Sequence, residues 1–414
     1  MPDNGKEPGI IAAQKLVDEF NLFSLTDAFY QYPYPTYHAL RTLAPVHRCP
    51  DGTYFLTRYK DLHQVYRDPK RFSSDKQKQF RPAFGDSLLF EHHTTSLVFN
   101  DPPLHTHVRK AIGDAMSPKM IIAMEPSLRA LVDRLLDNIA EKKEFDLMTD
   151  FAGIIPVEVI GNLLRVPQED RARLQRWAAA ILGALEFNLP REKLDFGNTC
   201  VAEFLDYLTD FVAERRKNLS NDDDDILSRL IRWESDGFRL SEKQLYHQCI
   251  FMLNAGHETT TNLIGNGIYS LFQHPEQLAL IRQQPDLIDS AVEEFLRYES
   301  PVQLGNRLTT KEVMIGDATI PAQTTLTLCI GAANRDPEVY LEPDKLEITR
   351  NPRNHLAFAG GIHTCAGLNI ARLEARIAIP ALLQRFPGLG LAGEPVRDKR
   401  ARFRGLLSLP MATS

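Results

Sequence analysis

The chain reads as a mainly α fold with a smaller strand-rich part, and three observations carry that reading. From about residue 105 to 274 apolar residues recur at helical spacing with few breakers. Short strand-like segments bounded by turn residues occur before about residue 75 and return after Pro301. No Pro/Gly/Ser-rich linker or low-complexity stretch divides the 414 residues, so one large domain over 1–414 is expected, with no internal repeat. Its strand-rich parts should lie at about 30–75, 300–350 and 387–414, and its helix-rich parts at about 100–300 and 365–386.

In chain order, Val46 to Cys49 and Tyr54 to Thr57 read as strands split by the turn Pro50-Asp51-Gly52. The acidic run Asp222 to Asp225 reads as a solvated loop leading into a helix at Ile226. Ser241-Glu242-Lys243-Gln244 forms a capping box, and the helix it opens must stop at His274-Pro275. Beyond Pro301, Val313 to Ile315 and Thr325 to Cys329 read as strands, with Ile320-Pro321-Ala322 as a turn. The apolar-periodic run Leu368 to Ile379 reads as a last helix.

Composition excludes some functions. A net charge of −6 provides no footprint for nucleic acid. No stretch approaches the ~18 apolar residues of a membrane span, and Met1 to Lys6 lack the regions of a signal peptide. Five cysteines without a spacing pattern fit a reducing compartment. A cytoplasmic protein that binds neither membrane nor nucleic acid is expected.

Chemistry concentrates first at Phe358-Ala359-Gly360-Gly361-Ile362-His363-Thr364-Cys365-Ala366-Gly367. One thiol stands between a Gly-rich turn and a helix start, where free amides and the helix dipole favour a thiolate, a soft anionic metal ligand. Cys49, Cys200, Cys249 and Cys329 read instead as small buried hydrophobes. Zinc held by His105, His107, His363 and Cys365 is a rival, but His105 and His107 are two apart on a helix start and point to different sides. A second conflict sits inside the long helix. In Ala255-Gly256-His257-Glu258-Thr259-Thr260 the Gly weakens a helix and Thr hydroxyls bond back to preceding carbonyls, a local inconsistency that marks either a tolerated bend or a functional site. Glu294 and Arg297, three apart, share a helix face and can pair. His105 and Arg109, four apart after Asp101-Pro102-Pro103, also lie on one helix face.

Taken together and in order, these motifs resemble the cytochrome P-450 family in its soluble bacterial form. The cysteine segment resembles the haem signature F-x-x-G-x-H-x-C-x-G followed by Ala371-Arg372, with Ala359 where the family usually has Gly. The long-helix segment resembles A-G-x-[D/E]-T, Asp101 to Arg109 resembles D-P-P-E-H-T-x-x-R with Leu104 replacing the acid, and Arg404-Gly405-Leu406 to Leu409-Pro410 also matches. The family's E-x-x-R pairs with a cation from the loop before the cysteine. Here Pro343-Asp344-Lys345-Leu346 replaces P-x-R-F, so Lys345 and Arg350 are the candidates for that third member.

The resemblance implies a triangular helical prism with a strand-rich lobe and haem b between the long helix and the cysteine loop. It makes Cys365 the thiolate ligand of iron and His105, Arg109, Arg307 and His363 the partners of the propionates, with Phe358 and Ala255 also beside the haem. Glu258 would deliver protons and Thr259 hold the hydrogen bond that directs them, while Ala255 and Gly256 leave room for dioxygen. The implied reaction inserts one oxygen atom into a small or medium organic substrate, with electrons from a separate ferredoxin and its reductase. Lys110, Arg353 and Arg376 are candidate docking cations. A haem-thiolate peroxygenase, isomerase or dehydratase would share the fold, and a non-enzymatic haem sensor would explain Cys365 but not the relay. By position the substrate pocket draws on His93, Val98, Phe251, Asn254, Gln303, Gly305 and Phe403, which fit an apolar body bearing a polar group, with Gly305 adding room. That the polar members bond backbone instead stands level with this reading.

Overall fold

The computed structural model describes residues 6–187, 189–220, 223, 225–235 and 237–413. The chain divides into two compact units. One holds residues up to 73, 265–365 and 393–409, and the other 74–264, 366–392 and those from 410 on.

The first unit is built on a five-stranded sheet in the order Val46–Arg48, Tyr54–Leu56, Thr325–Cys329, Leu304–Thr309, Phe72–Ser73. Only Tyr54–Leu56 and Thr325–Cys329 run parallel, with Leu328 opposite Leu56. The turn between the first two strands is set by Gly52, whose φ of +83° suits a residue without Cβ. Side chains on one sheet face, among them Leu56, Leu326 and Leu328, pack with Leu62, Val65 and Ile315 in a core that excludes water. Each such burial is worth roughly 1.5–3 kcal/mol.

The second unit is helical. Its long helices Pro118–Ala140 and Leu368–Arg385 pack on one another, as do Gln168–Gly183 and Arg191–Lys217. The expected capping box is made in full: Ser241 N donates to Gln244 Oε1 at 2.9 Å and Gln244 N donates to Ser241 Oγ at 3.2 Å. The helix so opened, Glu242–Gln273, ends before His274-Pro275 as its sequence requires. Residues to 264 count with this unit and the remainder with the other. Asp225 caps the helix Ile226–Arg232 by accepting from Ser228 N at 2.9 Å, while Asp222 and Asp224 lie outside the described residues.

Two strand expectations need adjustment. The strand-rich stretch after Pro301 ends at Cys329, and from Asn334 to Arg350 the chain forms no strand. Its carbonyls are used elsewhere, as shown next. Conversely, Glu144–Asp146 is a strand inside the helical stretch because it pairs with Pro410–Ala412, a partner far along the chain that local periodicity does not reveal.

The Glu294 and Arg297 pair is fully buried. Arg297 Nε and Nη2 donate to the two carboxylate oxygens at 2.7 Å each. Nη1 donates to Asn334 O at 3.0 Å and Pro343 O at 2.7 Å, and Nη2 to Lys345 O at 3.1 Å. All five guanidinium N–H groups are thus placed. The third member is Arg350, whose Nε lies 3.2 Å from Glu294 Oε1. Lys345 contributes only its carbonyl, its ammonium pairing with Glu342 at the surface. Glu294→Ala should therefore destabilise by about 3–5 kcal/mol, since Arg297 stays buried and uncompensated. Arg350→Ala should cost roughly 1–2 kcal/mol, because its partner keeps the Arg297 fork. Denaturant unfolding of both variants checks the order, and equal costs would refute it.

Candidate functional site

In the first unit the cysteine loop is held by its own backbone and by its neighbours. Cys365 N donates to Phe358 O at 3.0 Å and Thr364 Oγ1 to Gly361 O at 2.8 Å. Upstream, Leu356 N donates to Asn334 Oδ1 at 2.7 Å, and Ala357 N donates to His355 Nδ1 at 3.2 Å. With Nδ1 accepting, His355 carries its proton on Nε2, where it meets the Glu293 carboxylate at 3.2 Å.

Two residues of the turn have left-handed backbone, Gly361 at φ +65° and Ala359 at +57°. A Cβ on Gly361 would sit 2.0 Å from the carbonyl oxygen of Tyr66, so only glycine fits. Ala359 holds the same backbone region with a methyl group, at a strain of order 1 kcal/mol. Hence the departure from the family pattern keeps the turn.

The chemistry of the donor set fits a thiolate-ligated metal cofactor at one position. Cys49, Cys200, Cys249 and Cys329 are all buried, and burial pushes their thiols up to about 11, 11, 12 and 12. Cys365 alone of the five is not buried. Among the described residues no group of three or more His, Cys, Asp or Glu side chains is arranged to hold a metal ion. His105 is buried and His107 stacks on Phe238 at 4.4 Å, the divergence expected of two helical residues two apart.

Tyr66, on the helix Tyr59–Arg67, organises this unit's other candidates and was missed by sequence reasoning. The Arg307 guanidinium lies 5.3 Å above its ring. A Cβ on Gly305 would meet its hydroxyl at 2.9 Å, so the room expected at Gly305 is taken by Tyr66. Gln303 ties backbone together: its Nε2 donates to Ser300 O at 2.8 Å and its own N–H to Arg402 O at 2.8 Å. Beside it Val302 bridges Phe403. His363 lies in the short turn Gly361–His363, and Phe358 lies against the His355 ring at 5.6 Å.

In the second unit the long helix carries Phe251, Asn254, Ala255, Glu258 and Thr259. Thr259 Oγ1 donates to Ala255 O at 2.8 Å and Thr261 Oγ1 to His257 O at 3.0 Å, the back-bonding that makes Thr a poor interior helix residue. Glu258 is half-buried. His105 and Arg109 both lie on Leu104–Ala115, His93 on Leu88–Thr95 and Val98 in the turn Leu97–Phe99. His92 and His247, also missed, join His93 and Asn254 in one buried cluster. The seven-residue spacing of His247 and Asn254, two helical turns, was the signal available. Of the proposed docking cations, Lys110 and Arg353 are exposed but Arg376 is only partly so.

His257, inside the motif, accepts from Gln175 Nε2 at 3.1 Å, which leaves its proton on Nδ1. Burial pushes its pKa down to about 4. An unfolded histidine titrates near 6.5, so the unfolded chain takes up a proton that the fold refuses. The stability this histidine contributes is whole above pH ~6.5 and is lost as pH falls toward 4, at on the order of 1 kcal/mol per pH unit. Urea midpoints between pH 7 and 4.5 should show a shallower acid slope in His257→Leu than in the parent protein, and an unchanged slope would refute the neutral assignment.

Comparison with known proteins identifies the family. The family profile described as Cytochrome P-450 matches residues 42–411. The chain is 38% identical over 402 residues to the vitamin D(3) 25-hydroxylase of Pseudonocardia autotrophica, covering 95% of this chain and 96% of that protein. It is 35% identical over 387 residues to the biotin biosynthesis cytochrome P-450 of Bacillus subtilis, covering 92% and 96%. A crystal structure of the BioI cytochrome P-450 in complex with hexadec-9Z-enoic acid ligated acyl carrier protein superposes with a TM-score of 0.87 at 34% identity, over 94% of this chain and 100% of that one. With the profile spanning most of the chain and relatives of this identity aligned nearly end to end, the chain belongs to the cytochrome P-450 family and is an enzyme of the kind its bacterial monooxygenases represent.

Proposed function

We propose that the protein is a haem b monooxygenase whose iron is ligated by Cys365, both units forming one haem domain. The observation that carries this is the burial of the thiols: four are buried, with burial raising their pKa, and Cys365, only partly buried, lies in the glycine-dependent turn. His105, Arg109, Arg307 and His363 would meet the propionates, which need cations and donors when buried, and Phe358 and Ala255 would flank the ring. When bound, a thiolate-ligated haem supplies the activation of dioxygen, so that substrate R–H, dioxygen, two electrons and two protons yield R–OH and water.

The chain's own part is to bring protons and exclude stray water. Glu258, half-buried on the long helix, would carry protons inward. Thr259 gives its own proton to Ala255 O, which leaves its oxygen lone pairs as acceptors. Electrons come from a ferredoxin and its reductase in the cytoplasm. Among the described residues no helix is long and apolar enough to cross a membrane. The substrate is a small or medium organic molecule with an apolar body.

Cys365→Ser should abolish the red-shifted carbon monoxide spectrum of thiolate-bound ferrous haem, and an unchanged spectrum would remove Cys365 as ligand. Thr259→Ala should still bind substrate and consume dioxygen, but product per reducing equivalent should fall several-fold while hydrogen peroxide rises. Glu258→Gln should instead slow turnover by ~10²- to 10⁴-fold, the range of general acid catalysis. Full coupling in Thr259→Ala would mean that the helix defect serves packing alone.

A further inference from the structure

The long helix and the short helix Leu88–Thr95 share a chain of polar side chains that the reaction above does not use. It starts at the surface, where Lys243 Nζ lies 2.7 Å from Glu91 Oε2. Glu91 Oε1 is 3.1 Å from His247 Nε2, His247 Nδ1 is 3.3 Å from His92 Nδ1, and His92 Nε2 is 3.5 Å from Asn254 Nδ2. His92, His247 and Asn254 are at most 4% exposed.

Counting protons along this chain fixes its direction. Burial holds both rings below the ordinary histidine value, so each is neutral with one N–H. Burial would raise Glu91, but hydrogen bonds from Lys243 and His247 hold its carboxyl below the usual range, and it is an acceptor only. His247 therefore donates from Nε2 and offers a lone pair at Nδ1. The short contact between the two Nδ1 atoms then requires His92 to donate from its own, leaving a lone pair at His92 Nε2. Only the amide NH₂ of Asn254 can answer that lone pair. The carbonyl oxygen Oδ1 of Asn254 is thus turned away from the chain, and it is buried without a hydrogen-bond partner among the described residues.

A second such atom belongs to the residue next to His92 in the chain. His93 Nε2 also lacks a partner among the described residues, in a ring 2% exposed. Its ring sits 5.2 Å from that of His92 and within 6.0 Å of Phe80, Phe84 and Phe99. Buried polar atoms left unmade are costly, so an acceptor oxygen held away from its own hydrogen-bonded chain points to a ligand that completes it.

We propose that Asn254 Oδ1, locked as an acceptor by Glu91, His247 and His92, selects a substrate that presents a neutral O–H or N–H donor on an apolar body. This rests on the monooxygenase reading. An alcohol can donate its one proton to Asn254 Oδ1 and keeps its lone pairs as acceptors. A ketone has nothing to donate. A carboxylate would bring a charge against an acceptor oxygen and neutral imidazoles. Glu91, His247 and His92 are positioning residues in this scheme, since they act through the amide.

The test uses the haem-loaded protein and three probes on one hydrocarbon body: cyclododecanol, cyclododecanone and cyclododecanecarboxylate. Calorimetry and the spin-state shift of ferric haem should rank the alcohol about tenfold tighter than the ketone, the gain expected of one buried hydrogen bond, and the carboxylate weakest. Asn254→Leu should bring alcohol and ketone to within about twofold. His247→Leu, which frees the amide to turn, should narrow the preference by improving the ketone. Equal binding of alcohol and ketone by the parent protein, a preference kept in Asn254→Leu, or no binding of any probe at millimolar concentration overturns the proposal. The monooxygenase reading fails separately, through loss of the thiolate carbon monoxide spectrum in the parent protein, whatever the ranking.

Discussion

A guanidinium with no exposed surface sets the terms for the first unit. Arg297 could be buried only if every N–H found an acceptor, and two of the five go to Glu294 while three go to carbonyls of the segment Asn334 to Lys345. That segment makes no strand, and its shape follows from three carbonyls that must converge on one fork. The cysteine loop continues from it. Asn334, whose carbonyl accepts from Arg297, also holds Leu356 N through its side chain, so the buried charge and the start of the loop share a residue. A second buried cation beside it, Arg335, is stacked between Tyr34 at 3.4 Å and Tyr298 at 3.9 Å, so arginine is used twice here as a packing element.

The loop itself is shaped by close approach rather than by regular structure. Tyr66 passes near enough to Gly305, Gly360 and Gly361 that a Cβ at any of them would crowd it. Its ring also lies under Arg307. One aromatic residue thereby sets the distance between a sheet strand and the turn carrying the thiol. Ala359 shows that the turn's backbone matters more than its residue type, since an L-residue is held in left-handed conformation there.

The second unit follows another logic, in which helix stability is given up locally. Thr259 and Thr261 bond their own helix, and the long helix survives because its ends are satisfied and its flanks are buried. Its histidines are kept neutral by burial, so their hydrogen-bond roles are fixed by tautomer and not by charge. Asn254 then inherits an orientation from a carboxylate at the surface.

Most helix and strand periods, the capping box, the turns and the order of the chemical motifs were legible in the sequence, because each depends on residues within a few positions of one another. The turn that carries Cys365 was legible for the same reason: glycines, thiol and helix start are contiguous. What needed tertiary structure were choices made between distant residues of equal local promise. Lys345 and Arg350 are both cations near the right place, and only the path of the chain brings Arg350 to Glu294 while turning the Lys345 ammonium outward. Tyr66 is one aromatic on one amphipathic helix until the fold sets it against three glycines far along the chain. Gln303 and Asn254 are equally polar in sequence, yet the NH₂ of Gln303 goes to the carbonyl of Ser300 three residues away and that of Asn254 to the ring of His92 on another helix. Local pattern determines which residues can do chemistry, whereas hydrogen-bond partners and free space are properties of the packed interior, and these decided which of them do.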